Sequence, residues 1–255
     1  MTPRRQLLLL LIALAAAPAA RADLSATIDR VKPAVIIVGK YRETDNPRFS
    51  LGGTGFMVGD GHLAVTNAHV LDRLPDAQIR SNLAVQVRAA NGWELRGATL
   101  LDVDSPHDLA LLRVEGAPLP VLALGDSDAV HEGRSIAFTG FPIGGALGYT
   151  AVTHRGMVSA VTPVALPAAR AGQLNPAAIH RLREGPFMVF QLDATAYPGN
   201  SGGPLFDPDS GEVLGVVNMG VVKGTKESAL TNPSGISFAV PSKFVAALLQ
   251  RQRGQ

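Results

Sequence analysis

The chain has 255 residues, no cysteine and a formal net charge of +2. Without cysteines there is no disulfide to brace the fold, so stability has to come from a buried core, which this length can supply in one two-lobed domain. A charge this small, with no long lysine or arginine run and with Arg4, Arg5, Arg251 and Arg253 lying at the two ends, argues against a nucleic-acid surface.

Arg4 and Arg5 stand before an apolar run over 7–17, and Ala20-Arg21-Ala22 offers an A-x-A site ahead of Asp23. A spanning helix needs roughly 20 apolar residues, more than this run holds. Residues 1–22 are therefore expected to be a signal peptide cut after Ala22, leaving a periplasmic or secreted protein with no stable membrane insertion. An arginine pair alone does not make a twin-arginine signal, and the lack of cysteine removes the attachment point of a lipoprotein.

A short helix is predicted over 25–32, capped by Ser25 and ended by Pro33. Short runs rich in valine and leucine follow at 35–38, 54–58, 63–67, 84–89, 94–101 and 109–114, each broken by glycine, proline or aspartate. Six more lie at 135–139, 149–158, 187–192, 203–206, 213–219 and 235–240. The expected fold is all-β, with two six-stranded antiparallel β-barrels, a short N-terminal helix and a C-terminal helix. The boundaries are about 33–115 for the first barrel, 116–133 for a connector, about 134–240 for the second barrel and 241–252 for the last helix. No self-similar period points to a repeat protein.

The chemistry is announced by Gly199-Asn200-Ser201-Gly202-Gly203-Pro204-Leu205, a serine on a tight, glycine-flanked turn whose backbone N–H groups can face a reacting oxygen. A serine hydroxyl needs a base to take its proton and donors to receive the developing oxyanion. Gly199-x-Ser201-x-Gly203 also fits the nucleophile elbow of α/β-hydrolases, but those place their histidine after the serine, and here the last one is His180. The partners must lie upstream. Within 63–70 a short apolar run ends at His69, just before a turn-rich stretch, which places it at a strand end; Asp108 heads the run 109–114, where a buried carboxylate could hold an imidazole in the needed tautomer. Asp102 and Asp104 compete with Asp108, which is preferred because it directly precedes the strand, and His107 reads as a solvent-facing neighbour.

Seven segments, taken in order from Gly52 to Phe244, carry a family likeness: GGTGFMVGDGHLAVTNAHVL, HDLALLRV, LGDSDAVHEGRSIAFTGFP, RGMVSA, QLDATAYPGNSGGPLF, GEVLGVVNMG and GISFAVPSKF. The chain resembles the trypsin-like serine proteases and, among them, the bacterial HtrA/Deg group. The resemblance implies a chymotrypsin-like fold and a serine endopeptidase that hydrolyses unfolded or misfolded polypeptides through an acyl-enzyme on Ser201. His69 would act as general base and then acid, with Asp108 orienting it. Gly199 and Ser201 would supply the oxyanion N–H groups, with Asn200 shaping the turn between them. Thr195 and Ala196 would floor the primary pocket and 217–220, with Val217, Asn218 and Gly220, would wall it; by analogy Asn218 adds a hydrogen bond near Asp108. With no acidic residue at the floor, a lysine or arginine would enter uncompensated, so cleavage after small or medium apolar residues is expected.

Family members commonly carry a PDZ domain after the protease, whereas this chain reads as the protease domain alone. The resemblance leaves homo-oligomers open, trimers formed through N-terminal contacts. Two long segments, 163–186 with a capped helical turn at 175–185, and 223–234, read as candidate regulatory loops. The six histidines are scattered without a metal-ligand spacing, and the glycine pairs lack a phosphate-loop lysine, so neither metal nor cofactor is expected. The competing reading from another class is a catalytically latent, chaperone-like or binding protein on the same fold.

Overall fold

The computed structural model describes residues 23–72, 82–90, 92–142, 148–164, 187–218 and 235–254. The expected signal segment 1–22, Gly220, the loop at 223–234 and nearly all of the loop at 163–186, with its helical turn, lie outside the described residues.

Two closed antiparallel barrels carry the architecture. In the first, β1 (Val35–Tyr41), β2 (Phe49–Val58), β3 (Leu63–Thr66), β4 (Leu83–Ala89), β5 (Gly92–Asp104) and β6 (Leu109–Val114) run in the order β1-β2-β3-β6-β5-β4. In the second, β7 (Ser135–Gly140), β8 (Val152–Pro163), β9 (Met188–Asp193), β10 (Pro204–Phe206), β11 (Val213–Asn218) and β12 (Ile236–Pro241) close as β10-β11-β12-β9-β8-β7. This is the expected all-β fold of two six-stranded barrels, and closure leaves neither with a free edge. Val35 to Val38 are buried in succession, as are all six residues of β11, so both strands are covered on both faces. Their β-branched side chains suit that environment, and each fully buried Val, Leu, Ile or Phe adds roughly 1.5–3 kcal/mol.

β1, β2, β5 and β8 extend beyond the expected runs 35–38, 54–58, 94–101 and 149–158. β5 serves two neighbours in turn: its first half pairs with β4 and its second with β6, with a bulge between Leu100 and Asp102. Such a strand crosses polar positions that break the apolar pattern used to find it. β8 likewise runs to Pro163, paired with β7 and then with β9.

Helix α1 (Leu24–Val31) starts one residue earlier than expected, and its cap is Asp23, whose carboxylate accepts the Ser25 N–H at 3.1 Å. The cap assigned to Ser25 is corrected: both are capping residue types, and Asp23 holds the position whose oxygen meets the free N–H groups. Thr27 and Arg30 tie α1 to the carbonyl of Asp209, on the β10–β11 turn. Helix α3 (Ser242–Arg253) touches β5 and β6 of the first barrel and β11 and β12 of the second. The chain between the barrels makes one parallel bridge on its way, Leu124 with Val213.

Candidate active site

Asp108 sits at the head of β6 in the left-handed region, φ 55°, the sole non-glycine residue so placed among the described ones. Its conformation is held from the front barrel: its carbonyl accepts the Ala68 N–H at 3.1 Å and Asn67 Nδ2 at 3.0 Å. Both carboxylate oxygens are engaged. Oδ1 accepts the His69 backbone N–H at 2.8 Å, while Oδ2 lies 2.5 Å from His69 Nδ1 and accepts Asn218 Nδ2 at 2.9 Å. A carboxylate can only accept, so Nδ1 carries a proton, and in the neutral imidazole Nε2 is then the acceptor.

His69 does not end a strand. β3 stops at Thr66, and after Asn67 the chain enters a helical turn, α2 (Ala68–Asp72), in which the Val70 N–H donates to the Asn67 carbonyl at 3.2 Å. Asp108 supplies acceptors to the first N–H groups of this turn, and that overrides the extended tendency of the preceding run.

The turn carrying Ser201 belongs to the rear barrel but is built against the front one. Gly199 has φ 106° and Gly202 φ 85°, conformations that suit glycine. A Cβ on Gly202 would collide with the Thr54 carbonyl and the Thr66 hydroxyl and stand 3.2 Å from Asn67 N, so the turn abuts the segment leading to His69. The Thr54 N–H donates to the Ser201 carbonyl at 2.8 Å. Gly202 N–H donates to the Val217 carbonyl and Val217 N–H to the Gly203 carbonyl, both at 2.9 Å, so β11 holds the serine turn with Val217 and Asp108 with the next residue, Asn218.

Ser201 is wholly buried, and neither its Oγ nor His69 Nε2 makes a hydrogen bond. Asn200 is buried too, with both side-chain polar atoms unbonded, while its N–H donates to the Tyr197 carbonyl at 3.0 Å. The hydroxyl of Thr54 donates to the Gly199 carbonyl at 2.6 Å and accepts the Phe141 N–H at 3.0 Å. An aromatic seam runs beside this contact, with Trp93 from the front barrel set edge-on to Phe141 and Tyr149 at 5.5 and 6.2 Å.

The segment expected to floor a pocket is bonded to β12. The buried Ser237 Oγ accepts the Ala196 N–H at 2.9 Å and donates to the Ala194 carbonyl at 2.7 Å. Ala196 is buried and Thr195 half-buried; Val217 and Asn218 are buried on β11. Among the described residues no group of three or more histidines and carboxylates could hold a metal ion.

The competing acids serve elsewhere. Asp104 Oδ1 lies 2.8 Å from His107 Nδ1, and Oδ2 accepts Arg251 of α3 at 3.4 Å; Asp102 accepts Arg251 Nε at 3.2 Å. Burial alone would raise the Asp104 carboxyl, but the hydrogen bonds and charge of His107 and the charge of Arg251 outweigh it and hold it below the ordinary value. His107 is not solvent-facing: its ring stacks on Phe244 at 3.8 Å and meets Phe187 edge-on at 4.7 Å. Thr54, Thr66 and Ser237 carry no sequence signal of their own beyond lying inside segments that bear the family likeness.

A front barrel offering a carboxylate-bound histidine to a glycine turn on a rear barrel defines a chymotrypsin-like architecture. The chain belongs to the trypsin-like peptidase domain family, whose pattern matches residues 53–216. Its homologues over the protease domain are HtrA proteases. It is 35% identical over 205 residues to the mitochondrial serine protease HTRA2 of Drosophila pseudoobscura pseudoobscura, covering 80% of this chain and 40% of that protein. With human serine protease HTRA3 it shares 32% over 228 residues, covering 87% of this chain and 43% of the relative. The chain thus spans about 40% of the length of these relatives. A solved HtrA-type protease with a tripeptide shares the fold at a TM-score of 0.60 and 23% identity, covering 90% of this chain and 63% of the other.

Proposed function

We propose that the chain is a serine endopeptidase in which Ser201 is the nucleophile, His69 its base and Asp108 the group that orients the base. The observation that carries this reading is the 2.5 Å contact between His69 Nδ1 and Asp108 Oδ2, which leaves Nε2 free on a segment packed against the Ser201 turn. In the reaction, Nε2 takes the Ser201 proton as Oγ attacks the scissile carbonyl, and the carboxylate stabilises the imidazolium that forms. The N–H groups of Gly199 and Ser201 receive the oxyanion; collapse of the tetrahedral species expels the amine, protonated by His69, and water repeats the sequence on the acyl-enzyme.

The substrates are unfolded or misfolded polypeptides, cut after small or medium apolar residues in a pocket floored by Thr195 and Ala196, with Val217 and Asn218 in its wall. The resemblance to HtrA proteases supports the first part, and the absence of acidic residues at the floor supports the second. The arginine pair, apolar run and Ala20-Arg21-Ala22 site support export to the periplasm or beyond, and the family supports a homo-oligomer, a trimer.

The purified protein incubated with casein and with a fluorophosphonate probe tests the assignment: proteolysis and labelling in the wild type, and neither in Ser201→Ala. A latent, chaperone-like protein is the second reading, favoured by the unbonded state of Ser201 Oγ and His69 Nε2. A folded wild type that binds casein, is not labelled and does not cut would select it. A peptide library cut after lysine or arginine would overturn the pocket assignment.

A further inference from the structure

We propose that Thr54 is a positioning residue for the oxyanion turn: its hydroxyl, reaching from the front barrel, pins the Gly199 carbonyl and so sets the backbone between the Gly199 and Ser201 N–H groups. This rests on the peptidase reading above.

Thr54 is fully buried on β2, two residues beyond the bulge at Gly52 that opens between the Val38–Gly53 and Gly39–Leu51 pairs. Bulges re-aim the residues that follow them. The direction of its hydrogen bonds is unambiguous. The Phe141 N–H can only donate, at 3.0 Å, so the hydroxyl proton goes to the Gly199 carbonyl at 2.6 Å. The main chain of the same residue donates to the Ser201 carbonyl at 2.8 Å. Thr54 therefore fixes the carbonyls on both sides of Asn200, and with them the peptide planes that flank the Ser201 N–H.

The turn needs such an outside restraint. Gly199, at φ 106°, has no side chain to limit its swing, and the obvious internal brace, Asn200, makes no side-chain hydrogen bond at all. The space around the hydroxyl is kept for this purpose: a Cβ on Gly140 would stand 3.0 Å from Thr54 Oγ1 and 2.7 Å from Asn200 Oδ1. Because the donor belongs to one barrel and the acceptor to the other, apposition of the barrels and competence of the oxyanion site become one event.

The test compares Thr54→Val, which keeps the branched shape and loses the hydroxyl, with Thr54→Ser, which keeps the hydroxyl. Ser242→Ala is the control, since it removes another buried hydroxyl-to-carbonyl bond, to Gly125 at 2.8 Å, on α3. Should Thr54→Val fail to fold, Thr54→Ala serves as the deletion, its smaller side chain leaving room for water at the stranded groups. Loss of a whole oxyanion donor costs about 10²- to 10³-fold, so a misaligned one should lower kcat on the order of ten- to a hundred-fold. KM should stay within about twofold, because the interaction strengthens only in the transition state. Thr54→Ser and Ser242→Ala should keep kcat near wild type. A folded deletion variant with wild-type kcat, or a kcat loss shared by Thr54→Ser, overturns the assignment alone. Wild type that a fluorophosphonate does not label at Ser201 overturns the peptidase reading and this assignment with it.

Discussion

Asn218 Nδ2 donates to Asp108 Oδ2, the same oxygen that receives His69 Nδ1, at 2.9 Å. The residue before it, Val217, exchanges backbone hydrogen bonds with Gly202 and Gly203, so one strand holds both Asp108 and the Ser201 turn. Asn218→Ala should leave the fold intact and loosen the carboxylate. A hydrogen bond to a charged group is worth roughly 1.5–3 kcal/mol, part of which His69 recovers, so a kcat loss of about three- to tenfold is expected. Steady-state kinetics with active-site titration would check it; an unchanged kcat would show that His69 alone orders Asp108.

Gly202 tolerates no side chain. At φ 85°, with the Thr54 carbonyl and Thr66 hydroxyl in the way, Gly202→Ala combines backbone strain of about 1–3 kcal/mol with a clash against main chain. Urea unfolding should show a loss of at least about 2 kcal/mol and fluorophosphonate labelling should vanish. Wild-type stability in this variant would mean that the turn can move away from the front barrel.

Asp104 predicts an acid-sensitive link to α3. Its folded pKa lies below the unfolded one, near 3.9. The stabilisation is therefore fully present above about pH 4 and is lost as pH falls through the folded value. Asp104→Asn should be less stable at pH 7, by roughly 1–2 kcal/mol, and should lack this part of the acid loss. In thermal melts of both proteins between pH 6 and pH 3 the gap should begin to narrow below about pH 4; a gap that widens there would contradict the assignment.

His154 gives a second pH signature with a different window. Burial pushes its imidazole below 6.5, Nε2 is unbonded, and the ring lies flat on Phe138 at 4.8 Å. As pH falls below about 6.5 the unfolded chain takes up the proton first, so stability declines until the folded value is passed. His154→Phe keeps the stacking and removes the titration. The difference in Tm between pH 7.5 and pH 5 should be smaller in this variant, and an equal difference would assign the acid loss to other groups.

The two barrels were legible because glycine, proline and aspartate punctuate the valine and leucine runs, and Ser201 because few other contexts put three glycines around a serine. What escaped is set by partners distant in sequence. His107 beside three aspartates reads as surface, yet Phe187 and Phe244 arrive from the second barrel and α3 to enclose it. Thr54 is a lone threonine among glycines until the rear barrel brings Gly199 to it. The cap of α1 and the helical turn at His69 were missed for a nearer reason: when two residues can cap, or a strand meets a turn, a shift of one or two positions is decided by which acceptor lies in place, Asp23 in one case and Asp108 in the other.

Because His69 and Asp108 come from the front barrel while Ser201 and Asn218 come late from the rear one, a nascent chain carries the imidazole and carboxylate well before the residues that complete the candidate site. Until β11 and β12 close the second barrel, Asp108 lacks the Asn218 hydrogen bond and the Ser201 turn lacks the strand that holds it. On the peptidase reading, an unfinished chain would therefore lack the assembled site.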